Sequence, residues 1–513
     1  MDTSFLDAAV QGFFSVLSWP TFGFLLIGVA IGFMVGILPG LGGSVTLALM
    51  LPFTFDMRAV DAFAFLLGML AVTATTGDIT SILFGVPGEV ISAALVVDGH
   101  PMAKQGQAGR ALGAALMSSM IGAVVGALAL LIAIPIVRPL VLSFASPEFF
   151  MLSILGITFV ASLSSGAVLK GLIAGGLGLM LSMVGMETLS STQRYTGGLV
   201  TLWDGVGLVP VAVGMFAIPE LIDLARKGTS IAETRVGKIG GVLEGVKDTF
   251  RHLWLVIRCS AIGAFLGLIP GLGGSVSQWI AYAHAAQTSK DKPRFGHGAI
   301  EGVLGPGAAN NSKEGGSLIP TVAFGVPSGV SMAILLGAFL IQGLTPGPQM
   351  LTRNLPLTMS FVWVVVVSNL ITVAICFLFI QQIARITFVR AGVLIPPIIL
   401  LVFVGTFSEK NQLLDLVVMM AFGALGLLMA ELGWPRPPLV LGLVLGRLAE
   451  NYLFLSSGRY GAAFLTRPIV LVLLAVILAA VLSPLLQPWL SRVLTRRIPL
   501  AQNRVEVFAA DEP

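Results

Sequence analysis

A nine-residue stretch that occurs twice constrains how this chain of 513 residues can fold. Residues 36–44 read GILPGLGGS and residues 267–275 read GLIPGLGGS, 231 positions apart (267 − 36). A second pair follows in the same order, with Phe-Gly-Val-Pro at 84–87 and again at 324–327, 240 positions apart (324 − 84). Two imperfect copies in one order indicate an internal duplication, so the chain is predicted to fold as two related halves.

Long apolar segments around these motifs predict a membrane protein. The sequence is 56% hydrophobic and 11% charged, whereas a soluble domain carries about 25% charged residues. Apolar runs of about 20 residues recur along the chain, and each is long enough to cross a hydrocarbon core of about 30 Å. We therefore predict an all-α polytopic membrane protein with about 10–12 spans. The Lys and Arg residues behind its net charge of +4 lie in short connections. This pattern indicates the enrichment of basic residues in membrane-protein loops and not a nucleic-acid-binding surface.

The duplication and the polar segments divide the chain into four predicted parts. Residues 1–222 form a first transmembrane repeat, 223–252 a cytoplasmic linker, 253–490 a second transmembrane repeat and 491–513 a polar tail. The linker and the tail are assigned to the cytoplasm because Lys and Arg gather there. The two repeats are predicted to be inverted, since alternating access is commonly built from inverted repeats.

Each PGLGG stretch interrupts an apolar segment, which predicts a discontinuous helix. Pro39 and Pro270 end the preceding helices by removing a donor, and the glycines let a ligand approach the backbone. A helix starting near Ser44 or Ser275 would direct unpaired N–H groups and a positive dipole end into the gap. Such a gap binds an anion without any buried Arg or Lys, whereas a packing kink is the alternative for either copy. The ligands predicted here are Pro39, Gly40, Gly42, Gly43, Ser44, Pro270, Gly271, Gly273, Gly274 and Ser275.

Two further segments, 77–89 and 316–343, are predicted to be re-entrant hairpins because their apolar arms are too short to cross separately. Hydroxyl groups beside a bare backbone suit the oxygens of an ionised carboxylate, although Ser and Thr also join helices in membranes. Paired amides at 310–311 follow a predicted break at Gly-Pro-Gly 305–307, where a loop turn is the alternative. The substrate ligands predicted in this group are Ser81, Gly85, Pro87, Gly88, Asn310, Asn311, Ser317, Pro327 and Ser328.

Asp78 and Glu314 stand at corresponding edges of the two hairpin segments. Ionisable groups inside a membrane are functional hypotheses by default, so both are predicted to couple a cation, with Asn310 as a further candidate. At the water interface they would instead be merely solvated. Na⁺ is the one metal that we consider, and no organic cofactor is predicted.

Catalytic patterns find no support in this chain. No G-x-S-x-G or H-E-x-x-H string occurs, the four histidines are scattered, and no Walker motif is present. We therefore predict a protein that is not an enzyme and that takes its energy from an ion gradient.

Together, these strings resemble the large membrane subunit (TctA-like) of the tripartite tricarboxylate transporter family. The similar stretches are GILPGLGGS, TSILFGVPGE, VDGHPMAKQGQAGRALG, GLIPGLGGS, EGVLGPGAANNSKEGGSLIPTVAFGVPS and LLGAFLIQGLTPGPQ. The resemblance covers nearly the whole chain and departs at 76–79 and 326–329. It implies carboxylate uptake across a bacterial inner membrane, driven by Na⁺ or H⁺. It also implies a periplasmic solute-binding protein (TctC-like) and a small membrane subunit (TctB-like) as partners, and it leaves a homo-oligomer open. An ion exchanger or a channel without an organic substrate is the alternative.

Overall fold

The computed structural model describes residues 3–36, 42–162, 168–187, 191–227, 239–270, 273–386 and 391–495. These residues form an all-α protein, as predicted, apart from one antiparallel ribbon of two short strands, β1 (Gly185–Met186) and β2 (Gln193–Arg194). The helices before the linker are α1 Thr3–Leu17, α2 Thr21–Gly36, α3 Gly43–Met50, α4 Ala59–Phe84, α5 Ala93–Met102, α6 Ala108–Leu142, α7 Ser146–Ser162, α8 Val168–Ser182, α9 Leu208–Ala212 and α10 Ile218–Lys227. Those after it are α11 Val242–Arg251, α12 Leu253–Gly267, α13 Gly273–Thr288, α14 Glu301–Phe324, α15 Val330–Ile341, α16 Leu355–Ile386, α17 Ala391–Ser408, α18 Leu413–Glu431, α19 Pro437–Tyr460 and α20 Pro468–Thr495.

The first six helices of each half correspond one to one. The pairs α1–α2 and α11–α12 are both sharply bent, by 67° and 80°. The helices α4 and α14 both end at a glycine in the left-handed region, Gly85 and Gly325, each with a φ of 68°. Glycine adopts this conformation without the Cβ penalty that other residues incur. The two halves thus share a bent helix pair and a long helix that ends at glycine, while the duplication itself stays a prediction.

The two halves exchange packing partners. Helices α1 and α4 of the first half pack on α16 of the second, while α11 and α14 of the second half pack on α6 of the first. Small residues permit this approach, since a methyl group at Gly122 would lie only 2.1 Å from the carbonyl oxygen of Ala308. Close packing through small residues is typical of helices in membranes, where the hydrophobic effect between helices is absent.

In the described part of the chain, six helices are long and apolar enough to cross a membrane, or eight if each bent pair is one span. This number is below the predicted 10–12. The difference arises because several apolar segments form shorter helices: Gly43–Thr54, Ser146–Ala161, Val168–Ser182, Val330–Ile341, Ile395–Ser408 and Pro468–Leu482. The chain is a multi-pass membrane protein.

Both PGLGG motifs interrupt helices, as predicted: α2 ends at Gly36 before α3 begins, and α12 ends at Gly267 before α13 begins. Another predicted break is wrong, because α14 continues through Gly-Pro-Gly 305–307. Helix α4 also runs through the first residues of the predicted hairpin segment 77–89 and ends at Phe84. Neighbouring helices surround both segments, and buried surroundings of this kind let a membrane helix tolerate glycine and proline.

The predicted linker is partly helical. Helix α10 extends to Lys227, and α11 docks on α6 through an ion pair of 2.6 Å between Arg110 and Asp248. Positions 228–238 of the linker and 496–513 of the predicted tail lie outside the described residues. The four-part division remains a prediction.

Candidate functional site

A cavity of about 700 Å³ lies where the two halves meet. Its walls are the start of α3, the turn that follows α4, the end of α12, one face of α14, the start of α15, and parts of α10 and α19. Elements of both halves therefore enclose a single space, and the turns that follow α4 and α14 are the corresponding pair among them.

Several predicted site residues line this cavity: Gly42, Ser44, Pro87, Gly88, Glu314, Ser317 and Ser328. Gly42 caps α3 and Ser44 lies in the first turn of that helix, so the helix starts near Ser44, as predicted. Pro39, Gly40 and Gly271 lie outside the described residues. Gly273, Gly274 and Ser275 form the first turn of α13, directly after the interruption that begins beside Pro270.

Other predicted ligands lie away from the cavity. Ser81 is fully buried and its hydroxyl is 2.9 Å from both the Gly77 carbonyl and the Ser92 hydroxyl. Gly85 ends α4 and packs against His100. Pro327 is buried in the turn beside Ser328 and does not line the cavity. The hydroxyl of Ser81 therefore forms hydrogen bonds within the protein, which was the alternative to binding a ligand.

Glu89 occupies the predicted anion position at the first interruption. The backbone N–H of Gly43 donates to Oε1 of Glu89 at 2.5 Å. The same carboxylate accepts the backbone N–H of Ser92 at the start of the helical turn that leads into α5. One carboxylate thus caps two helix starts, where the dipole favours a negative charge. The sequence prediction missed this residue, although an ionisable group directly after the Pro-Gly of a predicted hairpin signals function.

Basic groups also line the cavity, and one of them, Lys313, is buried, contrary to the prediction of an anion site without buried Arg or Lys. Lys313 forms an ion pair with the neighbouring Glu314, and both side chains are less than 10% exposed (9% and 7%). Arg436 also lines the cavity, where it pairs with Glu220 at 3.2 Å and donates to the carbonyl of Met215 at 3.1 Å. The signal for Lys313 was present in the sequence, because a lysine in an apolar helix meets the same criterion as Glu314.

Two hydroxyl groups in the cavity wall are without partners. Ser317 on α14 is 6% exposed and Ser328 before α15 is 5% exposed. Neither hydroxyl has a hydrogen-bond partner among the described residues. Both residues line the cavity, so these two hydroxyls are available to a ligand there.

A separate polar cluster lies in the interior between α4, α14 and α16. The amide nitrogen of Asn310 donates to Oδ1 of Asp78 at 3.0 Å, and that of Asn311 donates to Thr75 Oγ1 at 2.7 Å and to Asn369 Oδ1 at 2.6 Å. Three oxygens of the cluster have no hydrogen-bond partner: Oδ2 of Asp78, Oδ1 of Asn310 and Oδ1 of Asn311.

Of the three cation-coupling candidates, Asp78 and Asn310 therefore meet, whereas Glu314 lies apart in the cavity wall with Lys313. Asp78 is fully buried rather than solvated. The amide pair lies inside α14 and not in the predicted loop. Thr75 and Asn369 were missed because neither stands near a Gly-Pro motif.

Comparisons with known proteins identify the family of the chain. The family model described as the tripartite tricarboxylate transporter TctA family matches residues 22–441. A protein of Agrobacterium vitis, described as the uncharacterized 52.8 kDa protein in the TAR-I ttuC' 3' region, is 34% identical over 467 residues, 90% of this chain and 93% of that protein. A second from the same organism, described as the uncharacterized protein in the TAR-II ttuC' 3' region, is 34% identical over 215 residues, 41% of this chain and 89% of that protein. No solved structure matches the chain. The chain belongs to the TctA family of tripartite tricarboxylate transporters, as a multi-pass membrane component.

Proposed function

We propose that this protein is the large subunit of an importer that carries a tricarboxylate-like acid across the bacterial inner membrane. A periplasmic solute-binding protein (TctC-like) delivers the acid, and a small membrane subunit (TctB-like) completes the complex. The observation that carries the proposal is the cavity shared by both halves, with Lys313 and the unpartnered hydroxyls of Ser317 and Ser328 in its wall. Family membership supports the class of substrate, and the proposal assigns no enzymatic activity to the chain.

A cation gradient, of Na⁺ or of H⁺, drives uptake in this proposal. The coupling site is the cluster around Asp78, because its unpartnered oxygens can coordinate Na⁺ and its carboxylate can carry a proton. Asn310 and Asn311 belong to α14, the helix that also carries Lys313 and Ser317. A shift of α14 on cation binding would therefore move the wall of the substrate cavity.

Inverted repeats and re-entrant segments complete the proposal. Support comes from the exchanged packing of α6 and α16 and from the short helices α3 and α15, which begin at the cavity. Inversion requires corresponding positions of the halves to lie on opposite sides of the membrane. Single cysteines at Gln105 and Thr345, 240 positions apart (345 − 105), should then react with an impermeant thiol reagent from opposite sides. The native Cys259 and Cys376 are buried, so they provide a low background.

Uptake of a labelled acid tests the function. Proteoliposomes holding the complete complex should accumulate labelled citrate, or another acid from a panel, only when the binding protein and an inward Na⁺ or H⁺ gradient are present. Omitting the binding protein is the matched control. Accumulation that ignores both the binding protein and the gradient would reject the proposal.

The alternative, an ion exchanger or channel without an organic substrate, is separated by the same vesicles. It would pass Na⁺ or H⁺ at an equal rate whether or not the acid and the binding protein were added. In coupled transport, the cation instead enters only when the acid is transported with it.

A further inference from the structure

We propose that the start of α15 is the subsite that binds a carboxylate group of the transported acid, and that Glu89 fills the equivalent subsite of the first half. Glu89 would then limit the negative charge that the cavity accepts. The inference rests on the proposed function, which it deepens by assigning the place of the acid and a residue that sets its charge.

The two turns that enter the cavity correspond residue by residue. Phe-Gly-Val-Pro occurs at 84–87 and at 324–327, and the same offset of 240 places Gly329 opposite Glu89 (329 − 89). Both residues precede a helical segment whose first turn lines the cavity. The chain thus presents one helix start that carries its own carboxylate and an equivalent one that does not.

The start of α15 is uncapped and open. Gly329 is its N-cap residue and forms no side-chain cap, and its backbone is extended, with φ −171° and ψ −174°. A Cβ atom built on Gly329 meets nothing within 4 Å, so unoccupied space lies where the Glu89 side chain lies in the first half. The next residues, Val330, Ser331 and Met332, line the cavity, and the N–H groups of a first turn have no partner within the helix.

A second, independent observation points to a ligand at this position. Ser328, one residue before Gly329, lies in the cavity wall and is 5% exposed, and its hydroxyl has no hydrogen-bond partner among the described residues. Ser317 lies in the same wall, is 6% exposed, and its hydroxyl also has no partner among the described residues. Hydroxyl donors beside free N–H groups at a helix start are the groups that bind a carboxylate. In the first half, Glu89 satisfies the equivalent helix start from within the chain.

The charges around the cavity show why Glu89 would limit the charge of the acid. Lys313 pairs with Glu314 and Arg436 pairs with Glu220, so the two cations of the wall are each matched by a carboxylate. Asp223 also lines the wall. Glu89 adds a further negative charge whose hydrogen bonds are to backbone N–H groups. It therefore repels an acid in proportion to the charge that the acid carries.

Binding of three acids of increasing charge tests this inference. The purified full-length chain is titrated with acetate, succinate and citrate as potassium salts at pH 7.5, with thermal unfolding as the readout. Glu89→Gln keeps the length and one acceptor oxygen of the side chain but removes its charge. We expect it to raise affinity by roughly tenfold for each additional negative charge on the acid, as two charges some 10 Å apart in a medium of intermediate dielectric constant would give.

A matched pair of variants at Gly329 tests the converse change, the addition of a charge to the second half. Gly329→Glu and Gly329→Gln add side chains of the same size to the open space. The Gln variant should weaken binding of the three acids by a similar factor, because its uncharged side chain only fills the open space. The Glu variant should weaken binding more steeply as the charge of the acid rises, by roughly tenfold per charge.

The outcomes separate the inference from the proposed function. If Glu89→Gln changes affinity for all three acids by one common factor, Glu89 is only a helix cap and the inference fails. It also fails if Gly329→Glu and Gly329→Gln behave alike. In either case, an acid that still stabilises the unmodified chain leaves the proposed function intact. If no acid of the panel stabilises the unmodified chain, both are rejected.

Discussion

The side chains of Asn310 and Asp78 meet in the interior of the protein, with the amide nitrogen of one 3.0 Å from Oδ1 of the other. The contact joins α14 to α4, the corresponding long helices of the two halves, across 232 positions of sequence. The offset of 240 places Leu318 opposite Asp78 (318 − 78). The carboxylate therefore occurs in one half only, and Glu314 is not its counterpart, contrary to the prediction that the two stand at corresponding positions.

Replacing the Asp78 carboxylate should remove cation coupling. In Asp78→Asn the side chain keeps its size but loses the charge that faces the unpartnered amide oxygens. We expect apparent cation affinity in uptake assays to fall by about 10- to 100-fold, the cost of losing a charged interaction of about 1.5–3 kcal/mol.

Asp61→Asn is the matched control for that change. Asp61 is also buried on α4, but it bonds to Arg58 and Thr21 at the other end of the helix. It should lower the unfolding temperature without altering the cation dependence of the remaining uptake. Equal cation profiles for Asp78→Asn and the unmodified chain would remove Asp78 from the coupling site.

Neutralising one partner of the ion pair between Lys313 and Glu314 should destabilise the protein more than neutralising both partners. Lys313→Gln leaves Glu314 as an uncompensated buried charge, which costs about 3–5 kcal/mol. The double variant Lys313→Gln with Glu314→Gln should recover most of the unfolding temperature. It should still take up no acid, because Lys313, the buried cation of the cavity wall, is gone while Arg436 remains paired with Glu220. A double variant no more stable than the single one would contradict this account.

Gly43 has no room for a side chain. A Cβ atom there would lie 2.7 Å from Thr73 Oγ1 and 2.8 Å from Leu70 Cδ1. Gly43→Leu should therefore displace the start of α3 together with its bond to Glu89, and abolish uptake while the chain remains in the membrane. The control is Gly176→Leu on α8, where an added Cβ meets nothing within 4 Å and normal uptake is expected. Full activity of Gly43→Leu would show that the first interruption is dispensable.

Stability should depend on pH through Glu409, which lies in the connection between α17 and α18. Burial raises the pKa of its carboxyl from the ordinary 4.5 to about 7, with Asp415 acting in the same direction and Lys410 and the N–H groups of Leu208 and Val209 against it. Between pH 4.5 and about pH 7, Glu409 keeps a proton in the folded state that it has lost in the unfolded state. The free energy of unfolding therefore falls as the pH rises through this window.

Thermal unfolding at pH 5.5 and at pH 7.5 checks the sign of the Glu409 effect. The unmodified chain should be more stable at the lower pH than at the higher one. Glu409→Gln cannot ionise, so its two unfolding temperatures should differ less. A pH dependence that is identical in both proteins would assign the effect to other groups.

Much of the fold could be predicted from sequence, because its signals are local. The interruptions before α3 and α13 follow from Pro-Gly chemistry within a few residues. The matching ends of α4 and α14 follow from a repeated Phe-Gly-Val-Pro. The continuity of α14 through Pro306 could not be read in this way, since the helices that surround it are distant in sequence.

The site was less accessible to sequence reasoning, because its contacts join distant positions. Glu89 reaches Gly43 across 46 residues, and no spacing rule connects a glycine after one break with a carboxylate after another. Hydroxyls such as that of Ser81 look alike in sequence whether they face a cavity or a neighbouring helix. Only the packing separates Ser81, which bonds to Ser92, from Ser328, which is free.

The exchanged packing of the two halves has a consequence for how the protein is made. Helix α6 finds its partners α11 and α14 only after the ribosome has moved past the linker and reached Phe324, the last residue of α14. Until then the glycine-lined face of α6 can meet only lipid or an insertion chaperone. A chain that stops in the linker would lack those partners and become a substrate for quality-control proteases, whereas two separately synthesised halves could rescue each other in one cell.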